Sequence, residues 1–328
     1  MRFVLRRLGF FVLTLWVALT LNFLLPRMMP GNPALAVIGK FRGGISPQAV
    51  KVLEAQFGVG SHQSLVSQYF SYLGNVATFK FGSSLTTQPG ASVGRIVLDA
   101  IPWTLGLVGI TTILAFVLGT VIGIIGAWRR GGLLDSIMPP TFVITSVIPY
   151  FWLGLVLILV FGVKLKWLPY IFSYDYTLTP SFSLAFIGNV IQHAILPAAT
   201  LLITTIGTWI LTMRNTMITT LAEDYVRMAR AKGLSGRRIM FDYAARNAIL
   251  PNLTGFAMSL GFVLGGAILI EFVFNYQGVG YWLLNAVNNE DYPLMQALFL
   301  LITVAVLLAI LVADIATALL DPRTRNAR

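Results

Sequence analysis

The chain has 328 residues, 57% of them hydrophobic and only 11% charged, with a formal net charge of +11 and no cysteine. A soluble domain carries about 25% charged residues, so this balance excludes an ordinary soluble fold and points to membrane spans. The absence of cysteine excludes a disulfide framework, a cysteine-based zinc site and a thiol nucleophile.

A helix rises about 1.5 Å per residue, so crossing a hydrocarbon core about 30 Å thick takes about 20 apolar residues. Six segments meet that length. The first, Leu8–Leu25, follows Arg2, Arg6 and Arg7 and runs into "PRMMPGNPA" without an A-x-A site. It reads as an uncleaved signal anchor rather than a cleaved signal peptide. Residues 28–100 are the longest stretch outside the spans. Within them "ISPQAVKVLEAQFGVG" predicts a helix capped by Ser46, with Pro47 in its first turn and Gly58 and Gly60 at its end. "SLVSQYFSYLGNV" predicts a second short amphipathic helix ending near Gly74. The remaining spans are Pro102–Trp128, Ile137–Val163, Ile195–Met213, Ile249–Phe272 and Leu294–Leu320. Pro149, Pro197 and Pro251 are expected to kink or break their helices. The pairs Gly119/Gly123 and Gly261/Gly265 let helix backbones approach closely, so they read as packing sites. The domain organisation is thus 1–27 for the N-terminus and first span, 28–100 for an outer helical subdomain, 101–320 for a five-helix core, and 321–328 for a tail.

The charges set the orientation. With the N-terminus inside, the inner pieces are 1–7, 129–136, 214–248 and 321–328. They hold Arg2, Arg6, Arg7, Arg129, Arg130, Arg214, Arg227, Arg230, Lys232, Arg237, Arg238, Arg246, Arg323, Arg325 and Arg328, which is 15 of the 23 Lys and Arg residues. The positive-inside rule therefore places both termini in the cytoplasm. The net charge follows from topology, and no nucleic-acid partner is expected.

One inner piece stands out. In "EDYVRMARAKGLSGRRIMFDYAARNAILP", Glu223–Lys232 predicts a helix with Tyr225, Met228 and Ala229 on one face and Arg227 and Arg230 on another. Gly233 suits a left-handed residue after a helix end, and Ser235 then caps a second helix over 236–248. The element, residues 221–248, is a helix–glycine–helix elbow. A basic elbow at lipid headgroups would need only its charge. The small residues Ala229, Ala231 and Gly233 at its turn point instead to a second protein surface held close.

Chemistry of other kinds is missing. No G-x-x-x-x-G-K-[ST] loop occurs, so the chain is expected to lack an ATP site of that type. His62 and His193 lie far apart in the sequence, there is no G-x-S-x-G elbow, and neither a metal nor a cofactor is expected in this chain. Glu271 and Asp314 are the carboxylates nearest to a span interior, and each falls near a span end. An ion-coupled secondary transporter usually carries ionisable groups deep in its spans.

The sequence resembles the inner-membrane permease subunits of peptide/nickel-type ABC importers. The elbow is similar to that family's form of the EAA loop, with Arg227, Met228 and Ala229 in the place of Glu-Ala-Ala, followed by Gly233. "LPRMMPGNPA", "FKFGSSL" with "IPWTLGL", "SVIPYFWLGLVLILVFGVKLKWLP", "HAILPAATL", "EFVFNYQGVGYWLLNAVNNEDYPLMQ" and "LLDPRTR" are similar to further stretches of it, in order. The resemblance implies an all-α polytopic protein of six transmembrane helices with the type I ABC importer permease fold. It also implies residence in the inner membrane of a prokaryote. The implied partners are a second homologous permease, two ABC ATPase subunits and an extracytoplasmic substrate-binding protein. The coupling residues would be Tyr225, Arg227, Met228, Ala229, Arg230, Ala231, Lys232, Gly233 and Leu234. A second inner contact would be Arg129, Arg130, Gly131 and Gly132. The loop facing the binding protein would be Tyr276, Gln277, Gly278, Val279, Gly280 and Tyr281. The cargo would be oligopeptides, with oligosaccharides as the alternative and an ion-coupled transporter as a more remote one.

The topology is testable because the chain has no native cysteine. Single cysteines at Ser64, Ser235 and Thr324 should differ in intact cells, with an impermeant thiol reagent labelling only position 64. Labelling of position 235 from outside would reverse the orientation.

Overall fold

The computed structural model describes residues 2–28, 64–265 and 267–320. Over these residues the chain is helical. Helix α1 (Arg2–Met28) leads to α2 (Leu65–Ala77) and then to α3 (Val93–Thr104), which passes through a π turn at Leu105–Gly109 into α4 (Ile110–Trp128). Next come α5 (Leu133–Val147) and α6 (Tyr150–Leu157), the latter continuing as a π-helical stretch, Ile158–Lys164. The long α7 (Leu184–Leu221) precedes α8 (Asp224–Ala231), α9 (Gly236–Arg238), a π stretch at Ile239–Ala245, and α10 (Arg246–Ala248). The last are α11 (Leu250–Phe262), α12 (Ile268–Val273), α13 (Val279–Asn288) and α14 (Tyr292–Leu320).

Four helices among the described residues are long and apolar enough to cross a membrane: Arg7–Leu25, Val93–Trp128, Leu184–Leu221 and Tyr292–Val312. The bent pair Ser136–Thr145 and Tyr150–Lys164 makes a fifth if its two helices form one span; a re-entrant loop has the same shape. The expected third span is therefore not straight, because its two halves meet at 92°. Pro149 is the cause. It has no N–H to donate, and it holds Ile148 before it in an extended conformation with φ −69° and ψ 123°. The expected fifth span, Ile249–Phe272, is also not one helix. It is divided into α11 and α12 at residues 263–267, where the sequence carries Gly265 and Gly266 next to each other. Glycine costs about 1 kcal/mol per position in a helix interior, so this run is a weak point. Pro197, by contrast, lies within the unbroken α7, and Pro251 takes the first turn of α11, where its missing N–H removes no bond. Of the six spans expected from the sequence, the described residues thus show four as membrane-length helices and a fifth if the bent pair is one span, while the expected fifth span is two shorter helices.

Helices α4 and α7 pack backbone to backbone at the Gly119/Gly123 pair. A Cβ on Gly123 would lie 2.7 Å from the Ile210 carbonyl and 2.8 Å from Met213 Cβ, and one on Gly119 would lie 3.1 Å from the Ile206 carbonyl. Side chains at either place would push α4 off α7. On α14 the neighbours are side chains: a Cβ on Gly265 would lie 2.9 Å from Ile302 Cγ2, and one on Gly261 would collide with Ala309 Cβ. Helix α1 lies on α14 through Asn22, whose amide donates to the Gln296 carbonyl at 2.8 Å and to the Tyr72 hydroxyl at 3.1 Å. Tyr72 and Tyr69, the latter 2.7 Å from Thr20, hold α2 against α1. Helix α2 starts at Ser64, whose hydroxyl accepts from Ser67 N–H at 3.3 Å, and it runs past Gly74 to Ala77. The helix expected after Ser46, the "LPRMMPGNPA" segment beyond Met28, and the tail 321–328 lie outside the described residues.

The glycine contact makes a stability prediction. Gly123→Leu should destabilise the α4–α7 pair by about 1–3 kcal/mol, the usual penalty for overpacking. A Cβ at Gly188 meets nothing within 4 Å, so Gly188→Ala should leave the packing unchanged and stabilise α7 by up to about 1 kcal/mol through helix propensity. Thermal unfolding in detergent would separate the two. Equal midpoints for both variants would mean that α4 and α7 do not touch there.

Candidate functional site

The elbow is built by local rules first. Helix α8 carries Asp224 in its first turn and Arg230 in its last, each placed where the helix dipole favours it. It ends in a Schellman turn. Gly233 N–H donates to the Arg230 carbonyl at 2.9 Å and Leu234 N–H donates to the Ala229 carbonyl at 3.3 Å. Gly233 has φ +73°, the left-handed region that disfavours a Cβ. Ser235 has extended dihedrals before α9, but its hydroxyl makes no capping bond there. The second helix, expected over 236–248, is present as α9, the π stretch and α10 in succession. The π stretch widens this helix where it faces α8.

Packing then divides the elbow into two faces. Val226, Ala229 and Ile239 are buried together, with Leu221, Leu234, Tyr243 and Trp128 around them. Ala229 therefore turns inward, away from Tyr225 and Met228, which point out. Val226 is the residue that its face needed and that the sequence reading passed over, although its three-residue spacing from Ala229 signalled it. Met228 is 58% exposed, and Arg227, Arg230, Ala231, Lys232 and Gly233 are exposed beside it. The Tyr225 hydroxyl accepts from the Asn247 amide at 3.0 Å, which joins α8 to α10. The ion pairs Arg227–Asp224 (3.7 Å) and Arg238–Asp242 (3.8 Å) are solvent-exposed, so they contribute little to rigidity. The result is a solvated outer surface of cations, small residues and one methionine on an apolar base.

The second inner piece lies next to this base. Arg129, Arg130, Gly131 and Gly132 are all exposed, and Gly131 takes φ +80° to turn the chain between α4 and α5. Trp128, just before them, is half-buried. It packs both with the elbow base and with Ile124, Ala127, Met213 and Met217 at the ends of α4 and α7 nearest the elbow, where Ala244, Ala245 and Ala248 of the elbow also pack. Thr216 of α7 donates to the Ala248 carbonyl at 3.0 Å and closes the other end of the elbow.

The loop Tyr276–Tyr281 lies at the opposite end. Tyr276, Gly278, Val279 and Gly280 are buried, and Gln277 and Tyr281 alone of the six are partly exposed. Glu271, fully buried, explains this. One carboxylate oxygen accepts from the Thr104 hydroxyl at 2.7 Å, and the other accepts from Gly280 N–H at 2.7 Å and Tyr281 N–H at 3.2 Å. Thr104 in turn accepts from Val279 N–H at 2.8 Å. A Cβ on Gly278 would collide with Thr104 and Glu271. Burial, with Glu271 near, holds the Tyr276 phenol above its usual range. Trp103 lies edge-on to Tyr276 and stacks on Tyr174 at 5.3 Å, extending the aromatic layer to the loop before α7. Asp291 is buried in a similar nest. It accepts from the Ser84 hydroxyl and from the N–H groups of Leu85 (3.2 Å), Thr86 (3.2 Å) and Thr87 (3.0 Å). The sequence reading did not single out Thr104, Ser84 or Asp291. Their only signal was acidic residues beside apolar spans in a chain that has just 12 of them.

Comparison with known proteins agrees with this arrangement. A family profile described as the binding-protein-dependent transport system inner membrane component matches residues 119–326, and its N-terminal counterpart matches residues 1–108. The chain is 36% identical to the di/tripeptide transport system permease protein DppB of Pseudomonas aeruginosa (strain UCBPP-PA14), over 99% of both chains. It is 32% identical to the oligopeptide transport system permease protein AppB of Bacillus subtilis (strain 168), over 92% of both chains. It is also 32% identical to the glutathione transport system permease protein GsiC of Escherichia coli (strain K12), over 99% of both. With its apolar helices and a family profile spanning most of its length, the chain is a multi-pass inner-membrane protein, and it belongs to the family of inner-membrane components of binding-protein-dependent transport systems.

Proposed function

We propose that this chain is the permease subunit of an ATP-driven importer and forms half of a path for short peptides handed over by an extracytoplasmic binding protein. The elbow is the observation that carries the reading. Its outer face carries exposed cations, small residues and Met228, while its base is fixed to the ends of α4 and α7. A surface of this kind suits a rigid-body contact with a subunit that changes shape. Two ATPase subunits would bind ATP and close, and each elbow would pass that displacement to its own spans. The second homologous permease completes the path. Both termini lie in the cytoplasm, as the arginine distribution favours. Within the outer loop, Gln277 and Tyr281 are left to meet the binding protein, because Glu271 draws the other residues inward.

Peptide cargo is supported by the names of the relatives, all of which refer to peptides or glutathione, and this leaves oligosaccharide import disfavoured. Ion coupling is disfavoured by the bonding of Glu271, whose two oxygens are engaged by a hydroxyl and two N–H groups rather than facing an aqueous path.

Two outcomes are expected. Purified alone, the chain should neither bind nor hydrolyse ATP, since it has no phosphate-binding loop. Saturable hydrolysis that persists after every partner is removed would overturn this. In the assembled complex, Gly233→Val places a β-branched side chain at φ +73°, at a local cost of about 1–2 kcal/mol. Insertion should be normal, while ATPase co-purification and peptide-stimulated hydrolysis in liposomes should both fall. Arg230→Glu should have the smaller effect if that side chain is merely solvated. Wild-type values for Gly233→Val would reduce the elbow to a basic loop at the membrane edge.

A further inference from the structure

We infer that Trp128 is a positioning residue that carries displacement of the elbow into the second span. The inference rests on the coupling role proposed for the elbow and adds the joint through which that role would act. Elbow and spans are continuous in sequence only through Leu221 on one side and Ile249 on the other. Trp128 belongs to neither connection. It is the last residue of α4, and its side chain packs in the elbow base with Val226, Ala229 and Ile239. The same side chain packs with Ile124, Ala127, Met213 and Met217, in the cluster that joins α4 and α7 to Ala244, Ala245 and Ala248 of the elbow's second arm, so Trp128 touches both arms of the elbow and both spans.

The contact is close where the second helix of the elbow begins. A Cβ on Gly236 would lie 3.2 Å from Cζ2 of the Trp128 indole. Gly236 does not have a positive φ, so backbone strain does not require glycine there. What glycine supplies is room for the ring. An interfacial tryptophan that served only as a lipid anchor would present its ring to the headgroups. Trp128 is instead turned into protein on two sides. A rigid ring wedged between two packed clusters transmits displacement, because close-packed interiors compress little. Above this joint, Gly119 and Gly123 lock α4 to α7. Motion delivered to Trp128 therefore reaches the span pair as a unit, independently of the chain connection at Leu221. The exposed loop Arg129–Gly132 would move with the same ring.

The test uses the full complex in liposomes, with partner permease, ATPase subunits and binding protein. Trialanine serves as the probe, and Trp128→Ala, Trp128→Phe, Gly236→Val and Gly233→Val are compared. Three quantities are read: ATPase co-purification, hydrolysis with and without loaded binding protein, and trialanine taken up per ATP hydrolysed. For Trp128→Ala, co-purification should stay at the wild-type level because the outer face is untouched. Uptake per ATP should drop by about fivefold or more, the lower end of usual coupling between sites. Trp128→Phe should recover most of it. Gly236→Val presses on the ring from the other side with Trp128 intact, and it should lower uptake per ATP in the same way. It decides the matter if Trp128→Ala fails to insert. Normal uptake per ATP in Gly236→Val and Trp128→Ala, with Gly233→Val impaired, would overturn the role of Trp128 and leave the elbow reading standing. Normal values in all variants, Gly233→Val included, would overturn both. Loss of ATPase co-purification in Trp128→Ala, unrepaired by Trp128→Phe, would mean a structural base only and would also overturn the inference.

Discussion

The backbone contact of α4 with α7 is the constraint on which the rest of the structure depends. In a bilayer there is little hydrophobic gain from pressing helices together, because lipid tails are as apolar as leucine. Close approach has to come from shape. Gly119 and Gly123 remove two side chains from one strip of α4, and the backbone of α7 from Ile206 to Arg214 fills the strip. Everything functional hangs from this pair. Its inner end carries Trp128 and the start of the elbow. Its outer end carries Thr104, through the continuous helix from Val93.

At the inner end, the elbow solves two opposed requirements. It has to be soluble and exposed, yet fixed in angle. The Schellman turn at Gly233 closes α8 within one residue and sends the chain back, so that Leu234 returns over Ala229. Burial of Val226, Ala229 and Ile239 then sets the angle. The cations take no part in that, since their pairs are exposed and geometrically loose. Charge makes the elbow's outer face polar, while a small apolar cluster makes it rigid.

At the outer end, buried carboxylates take the place that disulfides hold in many extracytoplasmic proteins. The chain has no cysteine, but Glu271 and Asp291 each gather donors from distant segments. Glu271 joins the start of the second span to the loop after α12, and Asp291 joins the 84–88 turn to the start of α14. A buried carboxylate that loses its partners is costly, so each of these nests specifies its loop tightly. The same bonding hides most of the 276–281 loop. Only Gln277 and Tyr281 of that loop are left partly exposed. The break at residues 263–267 adds to this division, since α12 is bound to the outer nest while α11 runs into the elbow.

The sequence by itself determined the membrane class, the approximate place of the four long spans, the elbow and its left-handed glycine. Each of these depends on local quantities: apolar run length, the position of arginine relative to a span, or the steric demand of one residue's φ. The glycine pairs were legible as packing sites for the same reason. Tertiary structure decided the rest. A proline's presence did not say whether its helix would break, bend or continue: Pro149 stands at the start of α6 and Pro251 in the first turn of α11, while Pro197 lies within the unbroken α7. Which face of α8 turns inward was set by Ile239 and Trp128, residues from other segments. That Glu271 binds a loop rather than facing a path was set by Thr104, which lies 167 positions away in the chain. Long-range partners of this kind leave no period or spacing in one sequence, because what selects them is the geometry of helices packed together.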